Sequence, residues 1–468
     1  MLRDSTSFRA VNLTRVSRGS VFSGCRSAEI SARNPLATPR PPEILSYSGF
    51  RNFTTFLQTV GWKLVFGLNL LDRSTEDGSW NATNSMRLID LVANDPALRE
   101  LVVGWELGNE PDLYNRSMLI VEGGQIAKDT AMLRSLVPPE HFLLGWDVAV
   151  PWLQNLWPEI LHAYRDLPAD TVHASTLHHY YRKGTDSAME AVLNPDVLDE
   201  LRSFYENATE IATAENFAPP LWLGETSSFS GGGSAGVSDR FAAGFIWLDK
   251  LGLAAKLGVP MVFRQTLRSN EDSLPPMSYG LLSSNILPHA DYWNSLLHKR
   301  LMGQRVLDLE LSVEAKPGSA AVDARKVRAY AHCTSIVPSV TLPLGTVHPG
   351  AVTMLFLNLE TDQAVTLDVA PSLLGMLGSS RIDFRLQAST IGATWQDTLA
   401  SWDVKLNGVT LLSMCNGSIP LITGYTVAAD SPLTLPQISM FFMVFPEAQL
   451  PECGYVAEEK RSEEIAVE

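Results

Sequence analysis

Two segments of this 468-residue chain carry carboxylates in a setting suited to acid–base work. A short apolar run, 101–103, feeds into Gly104-Trp105-Glu106-Leu107-Gly108-Asn109-Glu110-Pro111, and Pro220-Leu221-Trp222-Leu223-Gly224-Glu225-Thr226-Ser227-Ser228 repeats the plan. An apolar run that ends abruptly in polar residues reads as a buried strand meeting a polar rim. In βα barrels the C-terminal ends of strands are where reactive groups converge. Taken singly, each Glu has a second reading, a strand-end carboxylate that caps a helix or pairs with an arginine. Two such strands facing one pocket are far more specific, because carboxylates about 5 Å apart, one neutral and one ionised, cleave a glycosidic bond with retention. Between them lies Leu177-His178-His179-Tyr180-Tyr181. His178 and Tyr180 share a strand face by the period of two, so both can aim at a sugar or at Glu225; a buried histidine satisfied by backbone is the alternative.

The elements that must position these residues follow from the hydrophobic period. From residue 50 onward, short apolar runs at 63–70, 101–107, 142–148, 172–178, 220–224 and 261–265 alternate with amphipathic stretches near 85–94, 120–136, 153–166, 196–214, 239–257 and 291–303. Alternation of this kind is the signature of βα units. Asn194-Pro195-Asp196 and Ser238-Asp239 have the composition of helix starts, with a capping oxygen and, in the first, a proline for the first turn. Six strand–helix pairs are predicted where a closed barrel has eight. Beyond 304 the helical period stops, and alternating strands at 306–313, 327–333, 352–359, 364–369, 382–387, 404–411 and 438–444 predict a β-sandwich. The expected organisation is a leader over 1–44, a barrel over 45–304, a sandwich over 305–450 and a solvated tail over 451–468. Cys333 falls on a sandwich strand and Cys453 just past the last, so a bridge between them would pin the C-terminal segment to the sheet.

Composition narrows the function. With 36 basic against 51 acidic residues the net charge is -15, which argues against a nucleic-acid partner. Four cysteines without a C-x-x-C pair give no zinc cluster, and neither a metal nor an organic cofactor is expected. No run of apolar residues is long enough to cross a membrane. Six Asn-x-Ser/Thr triplets, at Asn12, Asn52, Asn81, Asn115, Asn207 and Asn416, fit a secretory route, although the first residues lack the apolar core of a signal peptide. The leader holds seven arginines, many serines and a Pro-rich end, a composition that cannot fold alone; it reads either as an organelle-targeting segment or as a disordered or non-homologous, wrongly joined leader.

In Trp105 to Pro111, His178 to Tyr181, Leu193 to Asp199, Trp222 to Ser228 with Gly231-Gly232-Gly233, Ser238 to Phe245, Trp247 to Gly252, Arg264-Gln265 and Asp291-Tyr292-Trp293, the sequence resembles the heparanases, family 79 retaining endo-β-glucuronidases. The resemblance runs from about residue 45 to the C-terminus. It implies an α/β fold, a (β/α)8 TIM-type barrel with a C-terminal β-sandwich, acting on heparan sulfate or a related glycosaminoglycan. It further implies Glu110 as general acid/base, Glu225 as nucleophile and Asn109 as a partner of the sugar 2-hydroxyl. His178 and Tyr180 would line the catalytic subsite. Gln265, Tyr279 and the backbone amides of Gly231 and Gly232 would recognise the glucuronate carboxylate. A secreted, matrix, lysosomal or peripheral cell-surface location goes with the resemblance.

Three departures accompany it. The family's opening strand–helix–strand is absent, so the chain resembles the large subunit, with the first two barrel strands missing and a small N-terminal subunit as the expected partner. The basic clusters beside the family's cleft are absent, which leaves Arg182, Lys183, Arg264 and Arg268 for sulfate. A tyrosine of the glycine-rich loop is replaced by Ser230, and about six extra residues precede Tyr279. The alternative, set by the missing strands, is a catalytically silent glycan-binding or regulatory protein with an incomplete barrel.

Overall fold

In the computed structural model the apolar runs become parallel strands and the amphipathic stretches the helices between them. The structure describes residues 13–16, 45–117, 120–184, 189–270, 276–311, 323–336, 347–412 and 418–454. Expectations for the rest of the leader, the tail beyond 454, Cys25, Cys415, Asn12 and Asn416 lie outside these. The first half runs Leu13–Val16 (β1), Tyr47–Val60 (α1), Lys63–Leu68 (β2), Thr83–Asn94 (α2), Pro96–Leu101 (α3), Val102–Leu107 (β3), Gly123–Leu136 (α4), Phe142–Val148 (β4), Leu156–Tyr164 (α5), Ala174–His179 (β5), Pro195–Leu198 (α6), Glu200–Ala214 (α7), Leu221–Thr226 (β6), Ala243–Lys256 (α8) and Val262–Arg264 (β7). The strands lie side by side in chain order, β1 to β7, and all pair in parallel.

Local chemistry sets the helix ends. Asn194 caps α6 through a 2.9 Å bond to the Asp196 N–H, as its side-chain oxygen predicts. Ser238-Asp239 is a correction: α8 begins later, at Ala243, and these two side chains hold a loop instead. Val65, Leu144 and Ala174, packed with Val103, Phe142 and Trp222, form an apolar cluster to which five strands and no helix contribute. That cluster is the inside of the curl.

The strand count also departs from expectation. Leu13–Val16, within the stretch expected to add no barrel strand, pairs with β2 in the position of a missing strand. An edge such as that of β2 presents unpaired N–H and C=O groups that accept any extended segment, and a four-residue strand is too short to announce itself by period. The sheet curls until β1 and β7 come within 8 Å between Cα atoms, with no ladder between them among the described residues.

The second half comprises Ala290–Leu301 (α9), Met302–Leu307 (β8), Val327–Thr334 (β9), Val352–Asn358 (β10), Val365–Leu367 (β11), Pro371–Leu377 (α10), Ser380–Ala388 (β12), Trp395–Leu399 (α11), Val404–Leu406 (β13), Val409–Thr410 (β14), Tyr425–Ala428 (β15), Leu433–Leu435 (β16) and Ser439–Phe445 (β17). Eight strands form one antiparallel sheet and β11 with β16 a second, so the two layers are unequal. The central strands β10 and β17 are buried at every position because both faces are covered. Met354, Phe356, Phe441 and Met443 meet the small sheet's Leu433 and Leu435, whereas Leu355, Leu357, Met440 and Phe442 join the barrel's own core. Strand alternation thereby welds the halves together. A polar joint reinforces the seam: Arg328 of β9 bonds Asp249 of α8 and Asp199, each at 2.7 Å, and the Tyr330 hydroxyl donates to Asp249 at 2.6 Å. Cys333 of β9 and Cys453 are joined by a disulfide, with Cα atoms 5.3 Å apart.

Candidate active site

The polar rim forms where β3, β4, β5 and β6 end. After β3 the chain turns sharply at Gly108, with φ +84°, where a Cβ would lie 3.0 Å from the Leu70 side chain. Glu110 itself has φ +50°, a left-handed conformation that costs a non-glycine residue about 1 kcal/mol or more. Neighbouring groups hold it there. Its N–H donates to the Asp147 carbonyl at 2.8 Å, and its carbonyl accepts from the Leu113 N–H at 2.9 Å. The buried Asp112 carboxylate accepts from the N–H groups of Ala149 and Val150 at 3.0 and 2.9 Å. Burial raises the Asp112 pKa, against those two bonds and with the help of the Glu110 charge. The turn after β3 is thus bolted to the turn after β4.

Across the pocket, Glu225 sits at the end of β6, and Gly224 makes room beside it. A Cβ there would come 2.6 Å from Thr176 Cβ and 2.8 Å from Asp147 Oδ1. From β5, His178 Nδ1 lies 3.0 Å from Glu110 Oε1, and the Tyr180 hydroxyl donates to Glu225 Oε1 at 2.7 Å. Side-chain oxygens of Glu110 and Glu225 and a ring nitrogen of His178 all fall within 4.8 Å of one another. That spacing suits direct attack on an anomeric carbon and leaves no room for the interposed water of an inverting pair.

The charges around His178 decide its state. Burial works against its charged form, yet the Glu225 charge and the carboxylates of Asp147 and Glu110 prevail and push its pKa up to about 10. Asp147 Oδ1 lies 3.3 Å from Nε2, so both ring nitrogens face carboxylate oxygens and the ring is an imidazolium at neutral pH. The Tyr180 pKa is driven well above its usual value, first by burial and then by the Glu225 charge. It stays a donor.

Known proteins resemble this chain in sequence and in fold. The profile of the "Glycosyl hydrolase family 79, N-terminal domain" matches residues 43–252. The chain is 34% identical to the heparanase of Gallus gallus over 409 residues, covering 85% of this chain and 71% of that protein. The chain belongs to the heparanase family, glycoside hydrolase family 79. Human inactive heparanase-2 is 28% identical over 421 residues, with 88% of this chain and 66% of that protein covered. An α-L-arabinofuranosidase from Thermotoga maritima shares the fold, with TM-score 0.60 and 12% identity over 92% of this chain and 86% of that one.

The remaining residues expected from the heparanase resemblance fall around the same rim. Tyr279 is buried, its ring stacked on Tyr180 with centroids 6.2 Å apart, and Gln265 is buried where β7 ends. Gly231, Gly232 and Gly233 have φ of +76°, +103° and +88°, conformations that favour glycine. A Cβ on Gly232 would strike the Pro276 carbonyl at 2.5 Å, and the Gly232 carbonyl takes the Ser278 N–H at 2.6 Å. Ser238 Oγ bonds Ser228 Oγ at 2.8 Å and the Ser234 N–H at 2.9 Å, while Asp239 Oδ1 takes the Gly236 N–H at 2.7 Å. These bonds are what Ser238 and Asp239 do in place of capping α8. Asn109 follows Gly108, and its N–H donates to the Tyr114 hydroxyl at 3.2 Å.

Arg264 is a second correction. Expected to meet sulfate, it is mostly buried, paired with Asp291 at 2.6 Å, bonded to the Tyr279 carbonyl at 2.6 Å and stacked on Trp247. Burial of a guanidinium demands such partners, and here they turn it inward to brace Tyr279. Arg182 pairs with Glu200 and Arg268 bonds the Ser284 carbonyl at 2.6 Å; Lys183 is exposed. Two residues escaped the sequence reading. Lys250 of α8 is fully buried and bonds Thr226 Oγ1 at 2.6 Å and the Ser227 carbonyl at 2.7 Å, tying down the strand that carries Glu225. Asp147 is a lone carboxylate inside the apolar run 142–150, and a charge in that setting is the signal that could have found it.

Proposed function

We propose that this chain is a retaining β-glucuronidase of the heparanase type, hydrolysing glucuronide linkages in heparan sulfate or a related glycosaminoglycan. The observation that carries the reading is the pair of carboxylates from two strand ends, their oxygens within 4.8 Å. In this reading Glu110 protonates the leaving oxygen, Glu225 attacks the anomeric carbon with Tyr180 holding its Oε1, and Glu110 then draws the proton from the water that releases the sugar. Asn109 holds the 2-hydroxyl, and His178 lines the subsite. Gln265, Tyr279 and the amides of Gly231 and Gly232 recognise the glucuronate carboxylate; a glycine run with positive φ supports this, because its backbone approaches an anion without side chains in the way. The disulfide supports an oxidising compartment, secreted or lysosomal.

The test is hydrolysis of an aryl β-glucuronide by the wild type and by Glu225→Gln, with the configuration of the first-formed sugar read by proton NMR. The expected result is a β product and no turnover by the variant, since an amide cannot form the glycosyl-enzyme. An α product, or a variant of undiminished rate, overturns the assignment. A second reading, a silent glycan-binding relative, draws on the seam between β1 and β7. Wild-type chain that binds the glycan and never turns it over, with or without added strands, favours it.

A further inference from the structure

Asp147 has no part in the glycosidase chemistry above, yet it is among the most constrained side chains at the rim. It is 1% exposed, sits at the end of β4 and has φ +54°. Its N–H donates to Thr176 Oγ1 at 3.1 Å, and its carbonyl receives the Glu110 N–H at 2.8 Å. The glycine at 224 keeps the space its carboxylate fills, for any larger residue would place Cβ 2.8 Å from Oδ1. From there Oδ1 faces His178 Nε2 at 3.3 Å, while Nδ1 of the same ring faces Glu110 Oε1 at 3.0 Å. Asp147, His178 and Glu110 therefore stand in a row on three successive strand ends.

We propose that Asp147 is the positioning residue of the acid/base: by setting its carboxylate against Nε2 of His178 it keeps a proton on that nitrogen while the ring carries a second on Nδ1, directed at Glu110 Oε1. The inference rests on the reading of Glu110 as acid/base. Its chemical consequence concerns which oxygen of Glu110 carries the transferable proton. A ring that donates from Nδ1 occupies Oε1, so the proton of a neutral Glu110 belongs to Oε2. With Asp147 neutralised, the ring gives up its second proton, and the one that remains can sit on Nε2, opposite the amide oxygen of Asp147→Asn. Its Nδ1 lone pair then draws the Glu110 proton toward itself and away from the leaving oxygen. The logic is that of a base oriented by a third group, transposed to an acid. The charged or titratable groups facing the ring are Glu110 from the β3 end, Asp147 from the β4 end and Glu225 from the β6 end, with Tyr180 two residues along its own strand.

The variant is Asp147→Asn, nearly isosteric, made in the full chain. Two substrates separate acid catalysis from general damage: methylumbelliferyl β-glucuronide, whose leaving group benefits from protonation, and 2,4-dinitrophenyl β-glucuronide, whose leaving group departs as an anion. The expected result is a loss of kcat/KM on the first that exceeds the loss on the second by about tenfold or more. In nitrogen-15 spectra, assigned with His178→Gln, the wild-type ring carries both protons at pH 8 and the Asp147→Asn ring carries one. Equal losses on the two substrates, no loss, or a variant ring that keeps both protons overturns the proposal. If wild-type chain hydrolyses neither substrate, the functional reading fails by itself, and the nitrogen-15 comparison still decides whether Asp147 sets the state of His178.

Discussion

The Tyr180 hydroxyl donates to Glu225 Oε1 over 2.7 Å, so one lone pair of the carboxylate proposed as nucleophile is occupied and its rotation is restrained. Tyr180→Phe keeps the ring that stacks on Tyr279 and removes only this bond. Hydrogen bonds to charged groups contribute about 1.5–3 kcal/mol, so kcat/KM on an aryl β-glucuronide falls about ten- to a hundredfold. An unchanged rate shows that the hydroxyl does not hold the nucleophile.

His178 links stability to pH. Its pKa is pushed from the ordinary 6.5 up to about 10 in the folded chain, so between those values the folded state keeps a proton that the unfolded state releases. The stability this ring contributes is complete below about 6.5 and is lost as the pH climbs through about 10. Thermal unfolding of the wild type and of His178→Gln across this window checks the sign. The gap between their midpoints narrows as pH rises, and a gap that widens refutes the pairing with the carboxylates.

The Cys333–Cys453 bridge closes a loop across 120 residues. Replacing both cysteines with serine lowers stability by about 2–5 kcal/mol, seen as a lower unfolding midpoint that reducing agent no longer affects. Peptide mapping of unreduced protein detects the Cys333–Cys453 pair. Finding both thiols free contradicts it.

The seam between β1 and β7 is expected to set how firmly the rim is held, because unpaired strand edges leave the sheet free to open. Supplying a heparanase-type small subunit, with its two barrel strands, displaces the four-residue β1 and raises both the unfolding midpoint and the β-glucuronidase rate. Carboxylates misplaced by about 1 Å lose around a hundredfold in rate, and a closed sheet holds them more firmly at the spacing seen at the rim. Full activity and an unchanged midpoint without the subunit show that β1 suffices.

Much of this site is written in the sequence. Apolar runs ending at Glu110 and Glu225, and the two-residue spacing of His178 and Tyr180, are local patterns. A strand buries what its own period dictates, so the order of strands and the approach of the two carboxylates follow from consecutive residues. Which partners those side chains take is another matter. Leu177 pairs with Leu223, but the next residue, His178, pairs with Glu225, because the register slips at Gly224; a second slip lies between Gly145 and Val148, beside Asp147. One residue of slip moves every later side chain to the other face. The tertiary structure therefore decided that His178 Nδ1 faces Glu110, that Asp147 stands behind the ring, and that Arg264 turns inward. Such choices depend on the space left by Gly224 and on charges brought from strands far apart in the chain, and no local period records either.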